Sequence, residues 1–522
     1  MNNNILYESF GSGVAFQYLS VLAIFIPSSL FYFSIAHILP VNIVGSISLL
    51  YALLNISTAV FALGLSKGLQ HYMSYHISQG NNIIVMELIK KTVLISAVLA
   101  TTAFISIYFL SGPIAILLFH NFTYSLSIKI IGIAISASVL VIIFSSILLG
   151  LSQFVKYSLI YIFVNIFIYM FPLTLLVIYK NYLYLVIGIA IINVINAIIF
   201  IFFVYRSYRK LSFYKINMHN KPEPYNNLIR YSMPLFLASF VGTSATYIDR
   251  IVVSYFINLS DLGIYNFALL IVAAGGYTIY PIRNLLLPKL SSFFSLDNKF
   301  AFNEGMRMLL NITSLIYIPA ALGIAALSKV LLFVFAGPEY IIAWMPLSII
   351  MVSSALFIGT GVLASGISSI RRNNIFVISS VLSLESNLLL SIILIPKFYI
   401  MGAAIAYSSM SVINFIIIYP YARKYKVSNY DIPRIIKIWL ASIIMATILF
   451  ELKNFFAFNM ITTFSYIVLG MIIYLIEIKL FKLVSTREMG FIVTIMPKKL
   501  KYIKNIMLML AFNDKRGYKL PK

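Results

Sequence analysis

Apolar residues run in stretches of about 20, each long enough to cross a hydrocarbon core, and such stretches recur along the whole chain. Fourteen are read: 14–38, 43–64, 92–111, 128–151, 157–179, 183–205, 232–257, 263–282, 306–328, 344–366, 374–396, 400–421, 436–452 and 460–480. The polar residues between them alternate in kind. Of 38 Lys and Arg, 32 fall in every second connection (65–91, near 156, 206–230, 283–307, 371–372, 423–437) or on the tail from 479. The other side holds only Lys129, Lys180, Arg250, Lys329, Lys397 and Lys453. Basic loops stay cytoplasmic, so the pattern predicts cytoplasmic termini and an all-α, multi-pass protein of the plasma membrane. One missed or invented span would put half the charges on the wrong side, so the alternation supports the count as well.

Composition agrees with the periodicity: 61% of residues are hydrophobic, 10% are charged and the mean hydropathy is +0.98. A net charge of +24 would point to nucleic acid in a soluble protein. Here the basic residues form a collar facing an anionic inner leaflet, so membrane lipids are the expected partners and nucleic acid is not. There is no Cys, hence no disulfide or thiolate site, and no metal is expected from five scattered histidines. His71 and His76 are five apart with no carboxylate at ligand spacing. The first apolar run has no basic leader segment and reads as a true span. The connections are too short for a soluble catalytic domain, and no Gly-rich phosphate loop is present, so neither an enzyme nor a cofactor is expected. In Thr486–Phe512, apolar residues interleave with Lys498, Lys499, Lys501 and Lys504, the pattern of a helix lying on the cytoplasmic surface.

Two pairs of segments align without gaps. Gly188–Lys210 and Gly402–Lys424 share an opening Gly, an Ala two positions on, a late Tyr and a closing Arg-Lys. The link Pro40–Gly45 after the first span corresponds to Asn258–Gly263 after the seventh. The chain therefore reads as a six-helix transport repeat (1–205), a basic linker (206–231), a second six-helix repeat (232–424), two additional helices (425–480) and a basic amphipathic tail (481–522). Six is even, so both halves enter the membrane in one orientation. Parallel repeats about an axis along the membrane normal, with a cavity between them, are a transporter's architecture.

The same segments carry a family likeness. ILPVNIVGSISLLYALLNISTAVFALGLSKGLQHYMSYHISQGN has a Gly entering span two and a Gly-Leu-Ser patch before a basic segment. YSMPLFLASFVGTSATYIDRIVVSYFINLSDLGIYNFA has Pro234 early in span seven, the pair Asp249-Arg250, and Gly263 entering span eight. AGPEYIIAWMPLSIIMVSSALFIGTGVLASGISSIRRNN has a Gly-Pro-Glu-Tyr turn and a Gly-rich span ten. Together they resemble the polysaccharide flippases of the multidrug/oligosaccharidyl-lipid/polysaccharide exporter superfamily, over roughly 14–424. The resemblance implies translocation of an oligosaccharide on an isoprenoid (pyro)phosphate carrier from the cytoplasmic to the outer leaflet by alternating access. It also implies a cationic lumen, glycan-assembly enzymes as candidate partners, and candidate coupling to protons or cations. The alternatives are an ion-coupled multidrug exporter of the same superfamily and a membrane-embedded enzyme of polysaccharide assembly. The sequence departs from some carrier-lipid flippases, because spans one and two contain no charge; Phe31 and Tyr32 stand where the repeat offset places Asp249 and Arg250.

Charges kept at bilayer depth cost about 2.5–3.5 kcal/mol on insertion scales, so they mark protein interiors or water-filled cavities. Adjacent helical residues point about 100° apart, so Asp249 is expected to meet a polar group on another helix and Arg250 to face the lumen. Both a structural pair and a substrate contact fit them. Glu385, near the middle of span eleven, is a candidate coupling site or sugar ligand; its structural alternative is a neutral acid hydrogen-bonded between helices. Arg283, Lys289 and Lys67 stand at cytoplasmic mouths, where they would receive a pyrophosphate or set topology. Pro27 is a candidate hinge in span one, and Asn165, Asn193 and Asn196 are interhelical glue. The topology is open to a direct check on this Cys-free chain. A Met218→Cys label should resist impermeant thiol reagents in intact cells and react after permeabilisation; labelling in intact cells would invert the orientation.

Overall fold

A backbone inside hydrocarbon must satisfy its own N–H and C=O groups, which a helix does within one segment. The computed structural model describes residues 3–212, 225–279, 299–370, 374–427, 430–455 and 457–484, and its regular elements are all helical. In order they are α1 (Asn3–Ile38), α2 (Val41–Phe61), α3 (Leu65–Ser78), α4 (Asn82–Phe119), α5 (Ser125–Gly150), α6 (Phe154–Tyr179), α7 (Tyr182–Ser212), α8 (Tyr225–Phe256), α9 (Leu259–Tyr277) and α10 (Lys299–Ala326). Then follow α11 (Ser328–Ala336), α12 (Trp344–Leu356), α13 (Gly359–Ser369), α14 (Asn374–Lys424), α15 (Ile432–Leu452) and α16 (Met460–Leu480). Among the described residues, thirteen segments are long and apolar enough to span a membrane. The longest, α14, breaks at Tyr399 (φ 52°, ψ −135°) and so holds expected spans eleven and twelve. A side chain at Gly402 would strike the Leu394 carbonyl, which is why this reversal needs glycine.

Local structure departs from the periodicity in two places. Span ten is two helices, α12 and α13, parted at Phe357–Ile358 in a stretch of small residues where helices commonly kink. The basic connection 65–91 is mostly helical, because Leu65, Gly68, Leu69, Met73 and His76 recur on one buried face of α3. The expected surface helix at 486–512 lies outside the described residues.

The chain divides into two compact units, Ile26–Gly263 on one hand and Met1–Phe25 with Ile264–Lys522 on the other. The passage between them along α1 falls next to Pro27, which is buried in a helix that continues through it. Span seven, expected to open the second repeat, belongs as α8 to the first unit.

In the second unit, Phe302, Met306, Leu310, Val362, Ile367 and Ile418 form the core. A polar stripe of α14 (Ser379, Ser383, Asn387, Ser391) is buried. From this region Ser386 and Ser409 share a hydrogen bond of 2.9 Å, and Asn387 donates to the Met410 sulfur at 3.3 Å. The two additional helices dock on α10. The Tyr474 hydroxyl donates to the Leu315 carbonyl at 2.9 Å and Lys453 Nζ to the Ala326 carbonyl at 3.0 Å. Burial, with Lys329 nearby, pulls the Lys453 ammonium down to about 8. At the other end Arg307 pairs with Asp431 at 2.9 Å and holds that carboxyl below its usual range.

In the first unit, Leu69, Met73, Val85, Ile143, Phe144 and Phe200 form the core. Asn193 accepts a hydrogen bond from Ser138 at 3.0 Å, joining α5 to α7 as expected of interhelical glue. Lipid tails are as apolar as Leu, so such helices hold together by close packing and polar contacts rather than by exclusion of water. The closest packing is between the two links that the sequence aligns. A side chain on Gly45 would strike the Leu259 carbonyl, and one on Gly263 would strike the Val41 carbonyl. Each Cβ would also lie 3.0 Å from the other glycine's amide nitrogen. The repeat register makes Val41 the counterpart of Leu259 and Gly45 that of Gly263. The contact is therefore reciprocal, as across a local two-fold axis. Gly45→Ala or Gly263→Ala should each lower stability by about 1–3 kcal/mol, the usual range for overpacking. One separation of the two backbones relieves both clashes, so the double variant should cost less than the two singles together. Thermal unfolding in detergent checks this; strictly additive losses would mean the contacts are independent.

Candidate functional site

The charged pair of span seven sits on α8, and three contacts fix that helix. At its N-terminal end, Gly64 turns left-handed (φ 63°) so that its backbone lies against Phe236, and Gly68 seats against the Ser232 hydroxyl. These are the glycines of the Gly-Leu-Ser-Lys-Gly patch. Near its C-terminal end, His120 Nε2 lies 2.9 Å from the Ser254 carbonyl oxygen. Beyond α8, the Gly45–Gly263 contact anchors the following turn.

Asp249 is fully buried. Arg250 does not project away from it, as the 100° offset leads one to expect. Its side chain folds back along α8, donating from Nη1 to the Thr246 carbonyl at 2.6 Å and lying 4.9 Å from the Tyr247 ring centre. This brings Nη1 to 3.7 Å from Asp249 Oδ1, an ion pair beyond hydrogen-bond length. The arginine stem is long enough to cancel the angular offset of two neighbours, which backbone geometry alone does not allow for. The pair is nearly neutral overall, and a guanidinium is the side chain whose fork of donors matches a phosphate or carboxylate.

The first unit also gathers aromatic side chains. Phe31 is fully buried. Its ring meets Tyr32 edge-on at 5.2 Å, Tyr51 edge-on at 6.2 Å and Tyr169 at 5.8 Å. Tyr32 and Tyr51 are 6.4 Å apart, and the Tyr51 phenol is within electrostatic reach of those of Tyr32, Tyr169 and Tyr247. The Tyr51 hydroxyl is buried with no hydrogen-bond partner among the described residues. An unsatisfied buried hydroxyl costs about 1–3 kcal/mol. The sequence placed Phe31 and Tyr32 opposite Asp249 and Arg250 in the repeat, but nothing in the spacing of Tyr51 or Tyr169 linked them to that pair.

The remaining candidates are not gathered here. Lys67 is exposed on the first turn of α3. Glu385 is in the other unit, on an exposed face of α14 roughly opposite the buried stripe through Ser383 and Asn387. Arg283 and Lys289 lie outside the described residues. The buried carboxylate of the second unit is instead Glu477 on α16, with neither oxygen hydrogen-bonded among the described residues. It shares a face with Thr463, Tyr466, Gly470 and Tyr474, a small-and-aromatic stripe whose spacing was legible beforehand. No group of acidic and histidine residues able to hold a metal occurs among the described residues.

The fold is that of an all-helical, multi-pass membrane protein. It superimposes with a TM-score of 0.68 on a lipid II flippase, MurJ, in its inward closed conformation, at 19% identity over 90% of this chain and 98% of that one. The chain belongs to the polysaccharide biosynthesis protein family, whose model matches residues 10–294 and so takes in the whole Ile26–Gly263 unit. It is 26% identical over 221 residues to the capsular polysaccharide biosynthesis protein CapF of Staphylococcus aureus, across 41% of this chain and 54% of CapF. It is 24% identical over 264 residues to the probable low-salt glycan biosynthesis flippase Agl15 of Haloferax volcanii, across 50% of this chain and 56% of Agl15. The chain thus spans about half the length of the curated relatives it matches. The family resemblance read from the sequence motifs is borne out.

The ion pair makes a stability prediction of its own. Asp249→Ala leaves a guanidinium at bilayer depth without its carboxylate, and breaking such a buried pair costs about 3–5 kcal/mol. Arg250→Lys keeps the charge and should cost far less. Melting temperatures in detergent compare the two; equal losses would show that the charge pairing does not hold α8.

Proposed function

We propose that this protein is a flippase that carries an oligosaccharide on an isoprenoid (pyro)phosphate from the cytoplasmic to the outer leaflet, for assembly of a surface polysaccharide or other glycan. The observation that carries the reading is Arg250, an arginine kept at bilayer depth on a helix locked in place, in a chain of the polysaccharide biosynthesis protein family. An anionic headgroup crossing the membrane needs such a donor, and a guanidinium offers two parallel hydrogen bonds to phosphate. The similar protein Agl15 is named a probable glycan biosynthesis flippase and MurJ a lipid II flippase, which supports the same class of cargo. In this reading the protein resides in the plasma membrane with both termini cytoplasmic, and 1–205 and 232–424 are duplicated transport repeats that work by alternating access. The reciprocal contact of Gly45 and Gly263 supports the duplication. Lys67, Arg283 and Lys289 would meet the pyrophosphate at the cytoplasmic mouth, and Glu385 would couple transport to protons or cations.

Deleting the gene should leave lipid-linked glycan on the cytoplasmic leaflet while its synthesis continues. Loss of precursor synthesis with no accumulation would contradict the flippase reading. In the complemented strain, Arg250→Ala should abolish export and Arg250→Lys restore part of it, and Glu385→Gln should cripple export at normal protein level. Full export by Arg250→Ala would remove that residue from the substrate path.

A further inference from the structure

Four tyrosines of the first unit come from different parts of the chain to one depth. Tyr32 is six residues from the outer end of α1, Tyr51 ten from the start of α2, Tyr169 ten from the end of α6 and Tyr247 nine from the end of α8. At 1.5 Å per residue they lie about 9–15 Å inside the same membrane face. If they served packing alone, phenylalanine would do, as Phe31 does at the centre of the group. Phenols there instead place hydroxyls in an apolar layer, and the Tyr51 hydroxyl has no hydrogen-bond partner among the described residues. A purely structural group would have no reason to keep it.

We propose that Tyr32, Tyr51, Tyr169 and Tyr247 form a subsite for the glycan part of the cargo, distinct from the anion contact at Arg250. A pyranose presents a face of C–H groups and a rim of hydroxyls. The negative ring faces of tyrosine take the C–H groups, while phenol O–H groups donate to and accept from the rim. A site of neutral phenols holds a neutral polyol at bilayer depth without adding a charge that would have to be desolvated. It also tolerates changes of sugar, because every pyranose has such a face. The Tyr247 ring is the link between the two subsites, since the Arg250 guanidinium lies beside it. Sugar and phosphate would therefore be held side by side on α8. Tetraalkyl or aryl cations are the competing ligand for an aromatic group, and the experiment separates them.

The inference rests on the flippase reading, and its test separates the two. The probe is the oligosaccharide released by mild acid from the precursor that accumulates in the deletion strain; if no precursor accumulates, the flippase reading itself has failed. Binding of this free oligosaccharide, of inorganic pyrophosphate and of tetraphenylphosphonium is measured by calorimetry on the full chain in detergent. Tyr51→Phe should weaken oligosaccharide binding about fivefold, the size of one lost hydrogen bond, while its melting temperature stays at or above that of the unaltered protein. Tyr51→Phe with Tyr169→Ala should abolish oligosaccharide binding and glycan export yet leave pyrophosphate affinity unchanged. A merely structural tyrosine gives the reverse at position 51: unchanged binding and export with higher stability. The subsite is overturned if the double variant binds oligosaccharide as the unaltered protein does, or if the tyrosines govern tetraphenylphosphonium binding and not that of the sugar.

Discussion

Backbone touches backbone where α2 meets the turn between α8 and α9, and the arrangement of the first unit follows from that contact. In water, two apolar helices are driven together by exclusion of solvent; between lipid tails they are not. What remains is dispersion and short-range dipole contact, which fall away steeply with separation. Gly45 and Gly263 remove the side chains that would hold the two segments apart. Gly64 and Gly68 do the same at the opposite end of α8. With both ends seated, α8 has little freedom to rotate, and its polar side chains acquire fixed surroundings.

That fixed helix makes an uncommon use of charge. Asp249 is wholly buried, and Arg250 bends back to meet it, to cap the Thr246 carbonyl and to lie beside Tyr247. The four-way arrangement compensates part of the field of the guanidinium within one stretch of α8. Tyrosines add polarity in that unit without net charge.

The second unit solves its polar problem differently. A serine and asparagine stripe on the first half of α14 is satisfied by the second half, across the sharp reversal at Tyr399 and Gly402. Glu385 is left on the opposite face, not between the helices as the structural alternative for a mid-span carboxylate would have it. The additional helices α15 and α16 are tied to α10 by Tyr474 at its middle and Lys453 at its C-terminal end. Glu477 is buried beside that seam.

The number of crossings, their predicted sense and the family likeness were legible in the chain, because hydrophobic length and the side on which Lys and Arg fall are local properties. The paired turns were legible too, as an alignment of Pro40–Gly45 with Asn258–Gly263, but not as a contact. Four things needed the tertiary structure. The affiliation of α8 with the first unit depends on glycine contacts between residues far apart in the chain, such as Gly64 with Phe236 and Gly45 with Gly263. The pairing of Asp249 with Arg250 depends on a side-chain bend that helical angles do not describe. The exposure of Glu385 and the burial of Glu477 depend on which face of each helix found a neighbour. The gathering of Tyr32, Tyr51 and Tyr169 depends on three helices with no common sequence signal. Lipid imposes length and charge placement on each span separately, whereas the site arises from close packing among spans, and that packing is decided only when the helices meet.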